Sequence, residues 1–396
     1  MKRIGVTGAF GFLGANFIAA LLEGRVRGQY ADDDMEITAF ASRTRTNRLV
    51  DPLKVLVKDL DVLDYGDLVR KFSGLDLVAH FAGRVDYRSA ARRSVWDTDV
   101  LGTKKVFDAA LEAGVSRLLY VSSVCALGEG ARDGTPGGTR ADEASSPYGD
   151  ARWPISFGSP AETLAAVDAS VRGEYDFLSK MKVAYIDAKL AGWELAKAYA
   201  RDRRLPVVTV FPGTAVGAGD LHHAISMLID KVWEGRLRFS FQGSTSFVAA
   251  RDLARGAVLA LARGRPGEGY VIAGRDEDDL GYADFQGLVA RIAQAEGWPA
   301  ERRPIVFPRP ILLGIAAVAE RIAPRGSLTR SFVISGSLRN VCSSAKARAE
   351  LGYAPVQSLE AAVVECRRFS ELTRVREYGE SVESRLSLAG LFRRSR

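Results

Sequence analysis

The chain has 396 residues, 47% hydrophobic and 26% charged, an ordinary globular make-up with room for one large domain or two. Its three cysteines, Cys125, Cys342 and Cys366, are far apart, and there are only three histidines. These exclude a disulfide framework and a Cys/His metal site, so no metal is expected and a reducing, cytoplasmic setting is. The formal charge of +7 comes from scattered Lys and Arg without interleaved aromatics, which argues against a nucleic-acid groove.

Lys2-Arg3 runs straight into a short apolar strand ending at residue 6, so no signal peptide is expected. Thr7-Gly8-Ala9-Phe10-Gly11-Phe12-Leu13-Gly14 then leads into an apolar helix over 15–22. Gly8, Gly11 and Gly14 suit a tight turn, close backbone approach to a pyrophosphate and helix-on-strand packing, with the helix amide end toward the anion. The next strand, 36–41, ends in Ser42-Arg43-Thr44-Arg45. An acid here would take the ribose diol of NAD, whereas Arg43, with Arg45 as a second candidate, favours the 2′-phosphate of NADP.

A third strand is expected over 53–57, with Asp59-Leu60 beyond it where an adenine would lie. A fourth over 75–79 leads into His80-Phe81-Ala82-Gly83, a helix follows over 94–113, and a fifth strand over 117–121 leads into Ser122-Ser123. Strands and helices alternating at this spacing predict an α/β fold with a parallel, doubly wound sheet and ligands at the strand C-termini. His80 is read as packing on the cofactor side, without a catalytic role.

Residues 129–157 are rich in Gly, Pro, Ser and charge, and an Ala-rich helical stretch follows over 162–171. A connection this long reads as a lid or binding loop. Within it, Tyr148 has the lead-in of a catalytic tyrosine, but its fourth-following residue is Arg152 and Trp153-Pro154 breaks a helix. Residues 181–196 read as a helix that puts Tyr185 and Lys189 on one face, one turn apart. An ammonium group close to a phenol favours the phenolate and lowers its pKa, which suits Tyr185 to proton exchange with a substrate oxygen.

A sixth strand, 205–211, precedes Pro212-Gly213. After it come a helix over 221–234, strand-like 239–241 and 247–248, a helix over 252–262 and a strand over 269–273, the pattern of a smaller lobe. The apolar run 311–319, cut off by Glu320-Arg321, is too short to span a membrane. It reads as a core helix or, more sharply, as a shallow membrane-facing or substrate-entry helix. The basic end, 391–396, reads as a solvated tail.

In order, the chain carries Thr7-Gly8-x-x-Gly11-x-x-Gly14, Asp59-Leu60, His80-x-Ala82-Gly83, Leu101-Gly102-Thr103, Val121-Ser122-Ser123, Tyr185-x-x-x-Lys189 and Phe211-Pro212-Gly213. This series resembles the extended short-chain dehydrogenase/reductase superfamily (the NAD-dependent epimerase/dehydratase proteins) over nearly the whole chain. Phe247 to Ala254 looks like that family's segment after the catalytic helix, and Ala345 to Pro355 is similar to its closing helix; the apolar segment from Pro310 to Ala323 resembles that of the 3β-hydroxysteroid dehydrogenase and dihydroflavonol reductase-like branch. The resemblance implies a Rossmann sheet and a catalytic set of Ser123, Tyr185 and Lys189. Ser123 would hydrogen-bond the substrate oxygen, Tyr185 act as acid or base, and Lys189 hold the nicotinamide ribose. It also implies a cofactor site at Thr7, Gly8, Phe10, Gly11, Phe12, Leu13, Gly14, Arg43, Asp59, Leu60, Phe81, Ala82, Gly83, Val121, Ser122, Tyr185, Lys189, Phe211, Pro212 and Gly213. The chain departs from the pattern at Asp99, where relatives usually have Asn, and at Phe211, where Arg is frequent.

On this reading residues 1–213 form the NADP-binding domain, its sheet completed by 247–262. Residues 214–246 and 263–370 form the α/β substrate lobe, and 371–396 a tail. The expected activity is NADP-dependent interconversion of a secondary alcohol and ketone on a bulky apolar substrate of steroid, triterpenoid or polyketide type, with NAD the less favoured cofactor. The alternatives are a nucleotide-sugar epimerase or dehydratase with tightly held NAD, and a non-catalytic NADP-binding regulator. Peripheral membrane contact through 311–319 is a further expectation. So is a homodimer through the Tyr185 helix, motivated by Leu190, Trp193 and Leu195.

Overall fold

The computed structural model describes residues 2–26, 35–41, 47–51, 53–129, 139–145, 183–221, 225–300, 303–323, 326 and 328–386, the side chains of 25–26 and 374–386 apart. Arg43, Arg45, Tyr148, the 162–171 stretch and the 391–396 end lie outside these residues.

Strands and helices alternate from the start: β1 (Lys2–Thr7), α1 (Phe12–Val26), β2 (Met35–Ala41), β3 (Leu56–Asp59), α2 (Tyr65–Phe72), β4 (Leu77–His80), α3 (Arg92–Trp96), α4 (Thr103–Glu112) and β5 (Arg117–Val121). Then come α5 (Ala184–Asp202), β6 (Val207–Pro212), β7 (Thr214–Val216), α6 (Ile225–Trp233), β8 (Phe239–Ser240), β9 (Ser244–Ala249), α7 (Ala250–Arg263) and β10 (Gly269–Ile272). The remainder is β11 (Asp279–Gly281), α8 (Tyr282–Ala295), β12 (Ile305–Val306), α9 (Arg309–Ile322), α10 (Arg330–Gly336), β13 (Arg339–Asn340) and α11 (Leu359–Leu386).

Seven strands form one parallel sheet in the order β3-β2-β1-β4-β5-β6-β10. The order reverses between β1 and β4, which opens a crevice at their C-terminal ends. Successive residues serve opposite faces. Ala79 and Leu119 pack toward α1 and α7 with Phe17, Ile18, Leu253 and Val258, whereas Val78 and Leu118 pack toward α2, α4 and α5 with Phe72, Phe107, Leu195 and Tyr199. The doubly wound parallel sheet expected from the sequence is therefore present.

Three local expectations are corrected. The third strand starts at Leu56, not at 53. Asp51 closes a turn, accepting from the Leu53 amide at 3.0 Å through its carboxylate and from the Lys54 amide at 3.0 Å through its carbonyl, and Leu53 is left exposed. The helix expected over 94–113 is interrupted by a widened π-type stretch, Asp97–Gly102, between α3 and α4. The sheet is completed by β10, not by 247–262. Residues 247–249 end β9 in another sheet, and 250–263 form α7, whose helical periodicity lays it across the sheet against α1. Each residue of β10 is buried, with Gly269 opposite Thr209 and Ile272 opposite Pro212.

The second lobe is built round β9, which pairs antiparallel with β11 and parallel with β13 and β7. Beneath it α6, α8 and α11 share a core of Ile229, Trp233, Phe247, Phe285, Val289 and Val363. The start of α11 is tied down where Asp230 takes Arg367 Nη1 and Ser370 Oγ, both at 2.6 Å. The apolar run 311–319 lies in α9, which packs Leu312 and Ala316 against Val333 of α10 and Phe241. Among the described residues no helix is long and apolar enough to cross a membrane. On α5, Leu190 and Leu195 are buried within the chain, while the half-buried Trp193 sets its ring edge-on to Phe211 at 5.0 Å.

Candidate active site

The turn between β1 and α1 sits at the β1/β4 crevice. Gly8 has φ +66°, and a Cβ there would lie 2.6 Å from the Ala82 nitrogen, so both the turn and the close packing on the end of β4 require glycine. At Gly14 a Cβ would come within 2.3 Å of the Gly8 carbonyl, which fixes α1 against the turn. Gly11 would meet only that same carbonyl, at 3.2 Å, and its outer side is open. Gly11, Phe12 and Leu13 are half exposed; the Gly11 amide donates to the Gly8 carbonyl at 3.0 Å, and the first-turn amides of α1 that follow lack intrahelical partners. This cradle fits the pyrophosphate of a dinucleotide.

The surrounding loop ends are laced to the sheet. Phe81 donates to the Thr7 carbonyl at 3.0 Å and Ser122 to the Val210 carbonyl at 2.9 Å. Leu60 donates to the Ala41 carbonyl at 2.8 Å, and Gly213 to the Ile272 carbonyl at 3.0 Å. Asp59 is exposed at the end of β3, while Val121 and Pro212 end β5 and β6. Phe10 and Leu60 are buried. Phe211 is wholly buried with Val124, Val271 and Ala273, so it packs the core and does not face the crevice. His80 is also structural. Its Nδ1 meets Thr7 Oγ1 at 2.7 Å and its Nε2 meets Thr103 Oγ1 at 3.1 Å, and burial, helped by Lys189, pushes its pKa down to about 3. The ring is therefore neutral at physiological pH.

Tyr185 and Lys189 project from the first two turns of α5, and Ser123 stands just past β5. Ser123 lies near enough to Tyr185 to favour the phenolate, and its Oγ accepts from the Cys125 amide at 3.3 Å. The Lys189 ammonium is 5.7 Å from the Tyr185 ring centre, and Ser122 Oγ donates to the Lys189 carbonyl at 3.2 Å, fixing the helix to the strand end. All three expected catalytic side chains thus meet at the C-terminal edge of the sheet. The expected electrostatics need correction. Burial pushes the Tyr185 phenol up to about 12, and the opposing pull of Lys189 is the smaller effect.

The reason lies partly in Asp99. From the π-type turn its Oδ1 takes the Lys189 ammonium at 2.8 Å, in a pair with 9% and 0% side-chain exposure. Its Oδ2 takes the Arg84 amide at 2.9 Å, and its carbonyl takes Thr103 Oγ1 at 2.7 Å. Burial opposes the Lys189 charge, but Asp99 first, then Tyr120 and Tyr185, carry its pKa above the ordinary value. Gly83 makes room for the pair, since a Cβ there would lie 2.6 Å from Asp99 Oδ1 and 3.1 Å from Lys189 Nζ.

Sequence reasoning missed the wall around Tyr185. Tyr87 lies edge-on to it at 5.6 Å, and Phe332 of α10 touches Tyr87 at 5.7 Å. Val183, Ile186 and Leu338 join Tyr87 and Cys125 in one apolar cluster. No motif marks these residues; only the long-range fold gathers them. Among the described residues there is no group of His, Cys, Asp and Glu fit to hold a metal ion.

The model of the NAD dependent epimerase/dehydratase family matches residues 4–154 and 155–273. The chain is 25% identical over 362 residues to sterol demethylase protein B of Methylococcus capsulatus, covering 89% of this chain and 94% of that one. It is 30% identical over 125 residues to mouse 3 beta-hydroxysteroid dehydrogenase type 7, covering 31% and 33% of the two chains. Among solved structures, the dTDP-glucose 4,6-dehydratase DesIV from Streptomyces venezuelae with NAD bound superposes with a TM-score of 0.68. It is 22% identical, covering 94% of this chain and 98% of that one, a likeness of fold.

Proposed function

The chain belongs to the NAD dependent epimerase/dehydratase family and is an NAD(P)-dependent oxidoreductase acting on CH–OH groups; within that family we propose that it interconverts a secondary alcohol and a ketone on a bulky apolar substrate, using NADP. The observation that carries this reading is the meeting of Ser123, Tyr185 and Lys189 beside the glycine cradle, against an apolar wall of Tyr87 and Phe332. An apolar wall desolvates and selects an apolar substrate at about 25 cal/mol for each Å² it covers. The sterol and steroid names of two relatives point the same way.

When bound, the dinucleotide supplies or accepts the hydride. The α1 amides would hold its pyrophosphate over the open side of Gly11, Arg43 the 2′-phosphate, and Lys189 the ribose beside the nicotinamide. Ser123 would hydrogen-bond the substrate oxygen. Tyr185, neutral near pH 7 with its raised pKa, is ready to donate a proton, which suits the ketone-reducing direction.

The test is NADPH oxidation with a panel of sterol and polyketide ketones. Tyr185→Phe should lower kcat by at least about 10²-fold with NADPH affinity kept. Turnover that survives this substitution, or a UDP-sugar that stabilises the protein where no apolar ketone does, would refute the proposal.

A further inference from the structure

The outward side of α9 is apolar. Ile311, Ile315, Val318 and Ile322 recur at steps of four, three and four, and are 51%, 45%, 57% and 80% exposed, while the inward Leu312 and Ala316 are buried. This is a helix with two apolar sides, one of them in the core and the other in solvent. β12, which leads into α9, adds exposed Ile305 and Val306, and Phe239 opposite Ile305 on β8 adds another. The charge in this stretch is one-sided. α9 itself carries two arginines, Arg309 and Arg321, and a single acid, Glu320. That acid is engaged by Arg330, Nε to Oε2 at 2.7 Å.

We infer that α9 lies in the interface of an anionic lipid bilayer, its isoleucine stripe among the acyl chains and its arginines at the headgroups, and that α10 beside it passes apolar substrate to Tyr185. A lipid surface fits better than a second copy of the chain, because a two-fold contact through α9 would set arginine against arginine with only Glu320 to offset them. Against anionic lipid each basic side chain is attracted instead, and the stripe supplies apolar area. Side-chain contacts run without a break from α9 to Tyr185. α9 packs on α10 through Val333, Phe332 of α10 meets the Tyr87 ring, and the Tyr87 ring meets Tyr185. Thr329 and Ser335 hold Tyr87 at its two ends, Thr329 Oγ1 donating to the Tyr87 carbonyl at 2.9 Å and Ser335 Oγ to its hydroxyl at 3.3 Å.

Docking stands on the surface alone, while substrate transfer rests on the proposed function, so the two are measured separately. Docking is read by co-sedimentation of the full chain with vesicles of phosphatidylcholine, alone or with about a third phosphatidylglycerol. The chain should partition onto the anionic vesicles, and salt near 1 M, where screening reaches about 3 Å, should release most of it. Ile315→Asn with Ile322→Asn should lower partitioning at least about tenfold. Arg309→Glu with Arg321→Glu should lower it on anionic vesicles and leave neutral ones unaffected. Both variants should keep NADPH affinity; if the isoleucine pair disturbs folding, the arginine pair decides. Equal partitioning of wild type and variants, or no partitioning at all, overturns docking, as does a solution dimer that these substitutions dissolve. Transfer is read as faster reduction of a sterol ketone dissolved in anionic vesicles than of the same ketone in neutral ones. Equal rates with docking intact overturn transfer alone.

Discussion

The Asp99 carboxylate and the Lys189 ammonium form a buried pair whose two halves come from separate helices. An amide at position 99 could accept the same hydrogen bond without offsetting the lysine's charge. Asp99 raises the Tyr185 pKa, in the direction opposite to Lys189. Asp99→Asn should therefore move Tyr185 down, and the rise of alcohol oxidation with pH should shift to lower pH, read as a kcat profile. An unmoved profile would show that Asp99 serves structure alone. The pair also bears on stability. Because Lys189 is raised above its ordinary 10.5, its contribution is complete below about pH 10.5 and fades as pH climbs through the folded-state value. Asp99→Ala, which leaves a buried ammonium unpaired, should cost about 3–5 kcal/mol in urea unfolding at pH 7. Tyr185 and Lys189 were legible because their spacing is local to one helix. Asp99 showed only as a departure from an amide, since its partner is 90 residues away.

At the scale of elements, the end of β4 and the π-type turn converge so tightly that Gly83 separates them. Gly83→Ala would push on Asp99 Oδ1 and Lys189 Nζ together. A shift of this order near the reacting groups should lower kcat by about 10²-fold, with a stability loss of only about 1–3 kcal/mol. Steady-state rates set beside melting curves separate the two effects. The strand–turn–helix at the start of the chain was legible because glycine spacing, strand and helix are contiguous. β10 reads as a strand but falls to the second lobe, because its sheet partner β6 lies about 60 residues earlier and nothing local to either strand pairs them. β3 slipped because the turn at Asp51 takes up residues whose apolar character suggested strand.

For the whole molecule, a dinucleotide that binds only the folded chain must stabilise it. At a hundred times its Kd the gain is about 2.7 kcal/mol, a rise of several degrees in melting temperature for a protein of this size. NADP should give the larger rise at equal concentration, and Arg43→Asp should reverse the order in favour of NAD. An unchanged order would remove Arg43 from the site. The parallel sheet was readable from alternation alone, whereas the second lobe was readable only as a change of rhythm. Its sheet joins β7, β9, β11 and β13, short strands brought together by long-range contacts.

The placement of β10 also governs how the polypeptide matures on the ribosome. The first six strands leave the exit tunnel in order, but β6, with all six residues buried in the finished protein, must wait for its outer neighbour while the lobe up to Ile272 is made. At about 5–20 residues per second that wait is roughly 3–12 s. Throughout it, an unpaired hydrophobic seam is open to other nascent chains, so yield in cells should depend more on holdase chaperones than the finished protein's stability suggests.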